Sequence, residues 1–117
     1  MKNVRRPPLG QSFVDAGGGG YASVFLSRVQ DAADEAGVPR TIVLSYAAAH
    51  EIGHLLLGKD AHTPAGLMRA NWDRSDFQAM DQLRLQFSNE QVRQLASRYG
   101  AAHQTEVRAE TLIAVRR

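Results

Sequence analysis

Residues 9–15 set Leu9, Gln11, Phe13 and Asp15 on one face of an extended chain and Gly10, Ser12 and Val14 on the other, which predicts a short strand. The strand ends at Ala16 and a run of four glycines, 17–20, which disfavours regular structure and predicts a wide turn or loop. Over 21–36 the apolar residues Val24, Phe25, Val29, Ala32, Ala33 and Ala36 recur at helical spacing, and Gly37-Val38-Pro39 ends that helix. A strand over 21–25 ahead of the helix fits as well, so this boundary stays open. Segment 41–57 is apolar nearly all round, the pattern of a buried central helix, with Gly58 placed to follow its last turn. Through Asn71 the pattern is irregular, and Pro64 and Gly66 mark a turn. Phe77, Met80, Leu83, Leu85 and Phe87 predict a helix over 73–87 with a looser end. Ser88-Asn89-Glu90-Gln91 resembles a capping box opening a helix through Tyr99, which Gly100 terminates. Residues 1–8, with Pro7-Pro8, predict a flexible or extended lead-in. Residues 101–117 contain Val107, Leu112, Ile113 and Val115 at weak periodicity and predict a tail helix or a disordered segment.

Together these elements predict an α+β fold, a small mixed sheet packed on the buried helix with C-terminal helices closing the other side. At 117 residues the chain reads as one domain, 1–117. A hydrophobic share of 44% and a charged share of 22% are those of an ordinary folded protein. The absence of cysteine excludes disulfides and thiolate ligation, so any metal must rest on His, Asp and Glu. A net charge of +2 with dispersed basic residues argues against a nucleic-acid partner. No apolar run reaches the ~18–20 residues of a membrane span, which argues against a membrane partner. The opening MKNVRRPPLG has no apolar segment behind its charges, so it reads as lacking a signal peptide, with cytoplasmic placement unless a leader was removed. No feature specifies an oligomeric state. The glycine run lacks the lysine and serine or threonine of a phosphate-binding loop.

Candidate chemistry sits where the apolar pattern is broken. The polar residues inside the buried helix include His50, Glu51 and His54, in the order H-E-x-x-H. Helical residues four apart share a face, with Cβ atoms about 5–6 Å apart. Both imidazoles can then reach one ion at the ~2.0–2.1 Å of a zinc–nitrogen bond. Glu51 projects from the same turn and can reach a water on that ion without being a ligand. Two imidazoles, a carboxylate base and an open coordination position are the equipment of metal-assisted hydrolysis. The competing reading is a pair of satisfied core histidines. It leaves a buried carboxylate and two imidazoles without compensation, which is costly.

The run continues through Gly58, Asp60, His62 and Met68. His50, Glu51, His54, a glycine, His62 and Met68 together resemble the metzincin clan of zinc peptidases, in particular its matrixin-like and archaemetzincin-like members. That clan's signature is H-E-x-x-H-x-x-G-x-x-H followed by a methionine-containing turn. The resemblance implies a zinc metallopeptidase acting on a peptide or protein substrate, with Glu51 as general base. It also implies a third ligand from the loop after the helix, and Met68 as an apolar floor beneath the ligands. Strand 9–15 and its glycine-rich turn resemble the substrate-side edge strand of matrixin-like members. The spacing here is H-E-x-x-H-x-x-x-G-x-x-x-H, so Leu57 stands where the clan has glycine. Strict spacing makes Asp60 the third ligand, whereas a helix one residue longer returns His62. We take His50, His54 and His62 as the zinc ligands, with Asp60 as the alternative. Where relatives place a tyrosine after the methionine, this chain has Arg69, Ala70, Asn71 and Trp72. Arg69 reads as a surface ion pair or a substrate contact, Tyr46 as packing beside the site, and His103 as a surface histidine. Two rival readings stand: a peptidase whose third ligand is a downstream carboxylate such as Asp76, Asp81 or Glu90, and a degenerate zinc-binding module without catalysis.

Overall fold

The computed structural model describes residues 7–16 and 19–100, together with the backbone of 111–116. Residues 1–6 of the lead-in, Gly17 and Gly18 of the glycine run, the tail segment 101–110 with His103, and Arg117 lie outside the described residues. The order of elements is β1 (Gly10–Val14), β2 (Gly20–Phe25), α1 (Leu26–Ala36), α2 (Arg40–Leu57), α3 (Arg74–Asp81), α4 (Asn89–Tyr99) and β3 (Thr111–Arg116). The fold is α+β. Its sheet has the order β1-β2-β3 and is mixed, since β1 runs antiparallel and β3 parallel to β2.

β2 is the central strand and is covered on both faces, with Ala22, Ser23 and Val24 all fully buried. The open boundary at 21–25 therefore resolves to strand, and α1 begins only at Leu26. Pairing to β1 and β3 satisfies the backbone of these residues, a benefit that local helical spacing cannot anticipate. α1 then buries Val29, Ala32 and Ala33, the i, i+3, i+4 stripe expected of a helix on a core.

α2 is the central helix and packs against all three strands and against α1, α3 and α4. Its buried residues Val43, Ala47, His50 and His54 fall at i, i+4, i+7 and i+11, so the two histidines continue the core stripe. Gly58 follows its last turn, as expected, but with φ 111° and ψ 167° instead of a left-handed closure.

Three expectations are corrected. The helix over 73–87 is only Arg74–Asp81. It starts at a capping box between Asp73 and Asp76, and it stops where Leu83 turns to φ 59° and Arg84 N–H donates back to Ala79 O. Leu85 is then buried from a non-helical segment. At α4, Ser88 Oγ accepts from Gln91 N–H as a cap should, but the Gln91 side chain does not return to Ser88. Residues 111–116, expected as tail helix or disorder, form a strand in register from Gly20↔Thr111 to Phe25↔Arg116. Thr111, Ile113 and Val115 are β-branched and suit a strand, but the partner lies ninety residues upstream, out of reach of any local pattern. Among the described residues no helix is long and apolar enough to cross a membrane.

Candidate metal centre

His50 and His54 point from adjacent turns of α2 toward one spot, and the loop after α2 brings His62 to meet them. One nitrogen from each ring lies within 4.8 Å of the others, and this is the group among the described residues that could hold a metal ion. Asp60, Asp76, Asp81 and Glu90 are not part of it. The His54 and His62 Nε2 atoms stand 3.1 Å apart. Two nitrogens on one tetrahedral zinc at 2.0–2.1 Å would be about 3.3 Å apart, so this pair of donors stands at nearly the spacing that an ion requires.

The tautomers follow from the neighbours. His50 Nδ1 is 2.7 Å from Leu67 O and His54 Nδ1 is 3.0 Å from Gly58 O. A carbonyl only accepts, so each Nδ1 carries the proton and each Nε2 offers its lone pair to the shared spot. This is the outer-shell arrangement that orients metal-binding histidines. Burial pushes the His50 imidazole down to about 4, against its bond to Leu67, and the neighbouring His54 and His62 add to the push. His62 is lowered too, by burial and then by His54. Neutral His50 and His62 near pH 7 are the forms that bind metal.

Glu51 lies on the side of α2 that faces β1. A Cβ at Gly10 would stand 2.6 Å from Ser23 O and 2.9 Å from Glu51 Cγ, so β1 crosses the carboxylate closely only because residue 10 has no side chain. Burial pushes the Glu51 carboxyl up to about 7, while a hydrogen bond from the Ser12 hydroxyl pulls the other way. A carboxylate titrating near neutrality, beside a metal position, suits a proton shuttle.

The turn after Pro64 packs against α2. Met68 is fully buried, and a Cβ at Gly53 would stand 2.5 Å from its sulfur. Gly53 lies between His50 and His54 in sequence, so this close approach packs Met68 tightly against the turn of α2 that carries both histidines. Leu67 O, which fixes His50, also accepts from Trp72 Nε1 at 3.2 Å, and the Trp72 ring meets His50 edge-on. Arg69 pairs with Asp73 at 3.1 Å and Asp76 at 3.5 Å. Tyr46 packs against the hydrophobic core.

The centre opens into a cleft of about 1140 Å³, bordered by Pro7 to Ser12 on one side and by residues 69–74 on the other. That volume lies above the usual range of compact small-molecule pockets, roughly 300–1,000 Å³. Sequence reasoning reached the three histidines that come together. It missed Ser12, Gly10, Gly53, Trp72 and Gln91, whose roles arise from contacts between distant segments. The one local signal was glycine inside the H-E-x-x-H helix, where glycine weakens a helix and asks for a packing reason. No family model, no curated protein and no solved structure matches the chain.

Proposed function

We propose that this chain is a zinc-dependent metallopeptidase, with zinc on His50, His54 and His62 and Glu51 as the proton-transfer group. The observation that carries the reading is the convergence of three imidazoles, two with Nδ1 committed to backbone carbonyls, beside a buried carboxylate in an open cleft. Three neutral nitrogen donors suit zinc and leave a coordination position free. The ion supplies Lewis acidity, acidifying water and polarising the scissile carbonyl. Glu51 takes the proton of the attacking water and delivers it to the leaving amine, so the amide is replaced by a carboxylic acid and an amine.

The substrate class is supported by β1, which among the described strands pairs only with β2 and borders the cleft with its free edge. An extended peptide can add to such an edge through main-chain hydrogen bonds. The test is zinc content by elemental mass spectrometry together with cleavage of a fluorogenic peptide library. The parent should carry one zinc per chain and cleave, and Glu51→Gln should keep the zinc while losing about 10²–10⁴-fold in rate. Unchanged turnover in that variant would sink the catalytic role of Glu51. A zinc-loaded parent that cleaves nothing would favour a binding module.

A further inference from the structure

Each metal ligand on α2 is held by a carbonyl, but His62 is not. It is exposed, and among the described residues its hydrogen bond and its ring–ring contacts are with the other two histidines, and no carbonyl accepts from it. Its position must come from the backbone that carries it. That backbone is gripped by α4. Gln91 Nε2 donates to Ala61 O at 2.8 Å, one residue before the ligand and thirty residues away in sequence. At the other end of α4, Arg98 Nη1 and Tyr99 Oη both donate to Leu56 O, at 2.9 and 3.3 Å. The segment linking the second ligand to the third is thus tied at Leu56 and at Ala61 by one helix.

Gln91 is a poor choice for packing alone. Its side chain is buried, and its Oε1 has no partner among the described residues. A buried polar atom without a partner costs roughly 1–3 kcal/mol. Nor does Gln91 serve the helix it belongs to: a glutamine three residues after a serine cap normally turns back to the cap's N–H, and this one reaches across to the ligand loop. We infer that Gln91 is a positioning residue for His62, and that α4 is the brace that sets the distance between the second and third metal ligands. This inference rests on the metal-centre reading and assigns it a support outside the ligand motif.

The test uses the whole chain and zinc or Co²⁺ as probe. Gln91→Met preserves length and apolar bulk while removing the amide. Gln91→Leu repeats the removal with another shape, so that poor folding of one leaves the other readable. The metal-free melting temperature, zinc affinity by chelator competition and the Co²⁺ ligand-field spectrum are measured on each. The expected result is metal-free melting no lower than the parent's, zinc affinity down 10–100-fold as for other outer-shell losses, and a weakened tetrahedral Co²⁺ band. Parent-like affinity and spectrum in both variants would overturn the brace, as would lower melting with affinity unchanged, the mark of a merely structural role. A parent chain that binds no zinc at all would instead overturn the metal centre itself, so the two failures are separable.

Discussion

His50 and Glu51 are sequence neighbours whose buried side chains respond to pH in opposite senses. The folded His50 holds its pKa near 4, below the 6.5 of the exposed ring, so the unfolded chain binds that proton more strongly. Its contribution to stability is present above pH 6.5 and lost as pH falls through 4. Folded Glu51 sits near 7, above its ordinary 4.5, so its contribution is present below pH 4.5 and lost as pH rises through 7. Between pH 4.5 and 6.5 the two slopes oppose and largely cancel. In the chelated protein, Glu51→Gln removes one of them. Urea unfolding of that variant in EDTA should then gain on the order of 2–3 kcal/mol from pH 4 to 6.5, allowing for screening by the open cleft. A flat profile in the variant would mean that His50 is not desolvated in the folded chain. The chemical identity of this pair was legible from the H-E-x-x-H spacing. Their opposed titration was not, because it depends on the burial of both side chains in the folded chain, with β1 crossing Glu51 at Gly10.

Among the elements, the end of α3 shows where local reasoning fails. Apolar residues continue at helical spacing past Asp81, yet Leu83 adopts φ 59° and the helix stops. A branched side chain in the left-handed region costs roughly 1–2 kcal/mol, and Leu83 is also 69% exposed. The turn it makes lets Leu85 and Phe87 reach the core from extended chain, and tertiary packing outweighs the local preference. Leu83→Asn, which tolerates the left-handed region, should raise stability by up to about 1 kcal/mol, read as a higher denaturant midpoint with unchanged slope. A lower midpoint would show that the Leu83 side chain packs on something it leaves exposed here. α2 and α4, by contrast, were legible almost to the residue. The first has a long apolar run with Pro39 before it and Gly58 after it, and the second a serine cap and a terminal glycine. β2 and β3 were not, since a strand's partner in the sheet can lie anywhere in the chain.

For the molecule as a whole, the proposed metal ties α2 to the loop that α4 holds, so loading it should stabilise the entire fold. A ligand that binds only the native state at a hundred times its dissociation constant adds about 2.7 kcal/mol. For a domain of this size that is a rise of roughly 10 °C in melting temperature. Calorimetry with and without zinc should show it, EDTA should reverse it, and His62→Ala should abolish most of it. An equal rise in the His62→Ala variant would remove His62 from the ligand set.

By itself the sequence determined the α+β class, the central helix and the helical pair of residues that could hold a metal, because helical periodicity and the four-residue spacing are local properties of the chain. The tertiary structure alone decided that His62 joins the pair while Asp60 stays out, and that Leu67 and Gly58 orient the imidazoles. It alone decided that Gln91 leaves its own cap to hold the ligand loop, and that residues 111–116 complete the sheet. The contacts of Leu67, Gln91 and residues 111–116 join segments seventeen to about ninety residues apart. Even the nearer His54–Gly58 and His54–His62 contacts depend on the path of the loop, so burial and hydrogen-bond satisfaction in the folded whole chose them all.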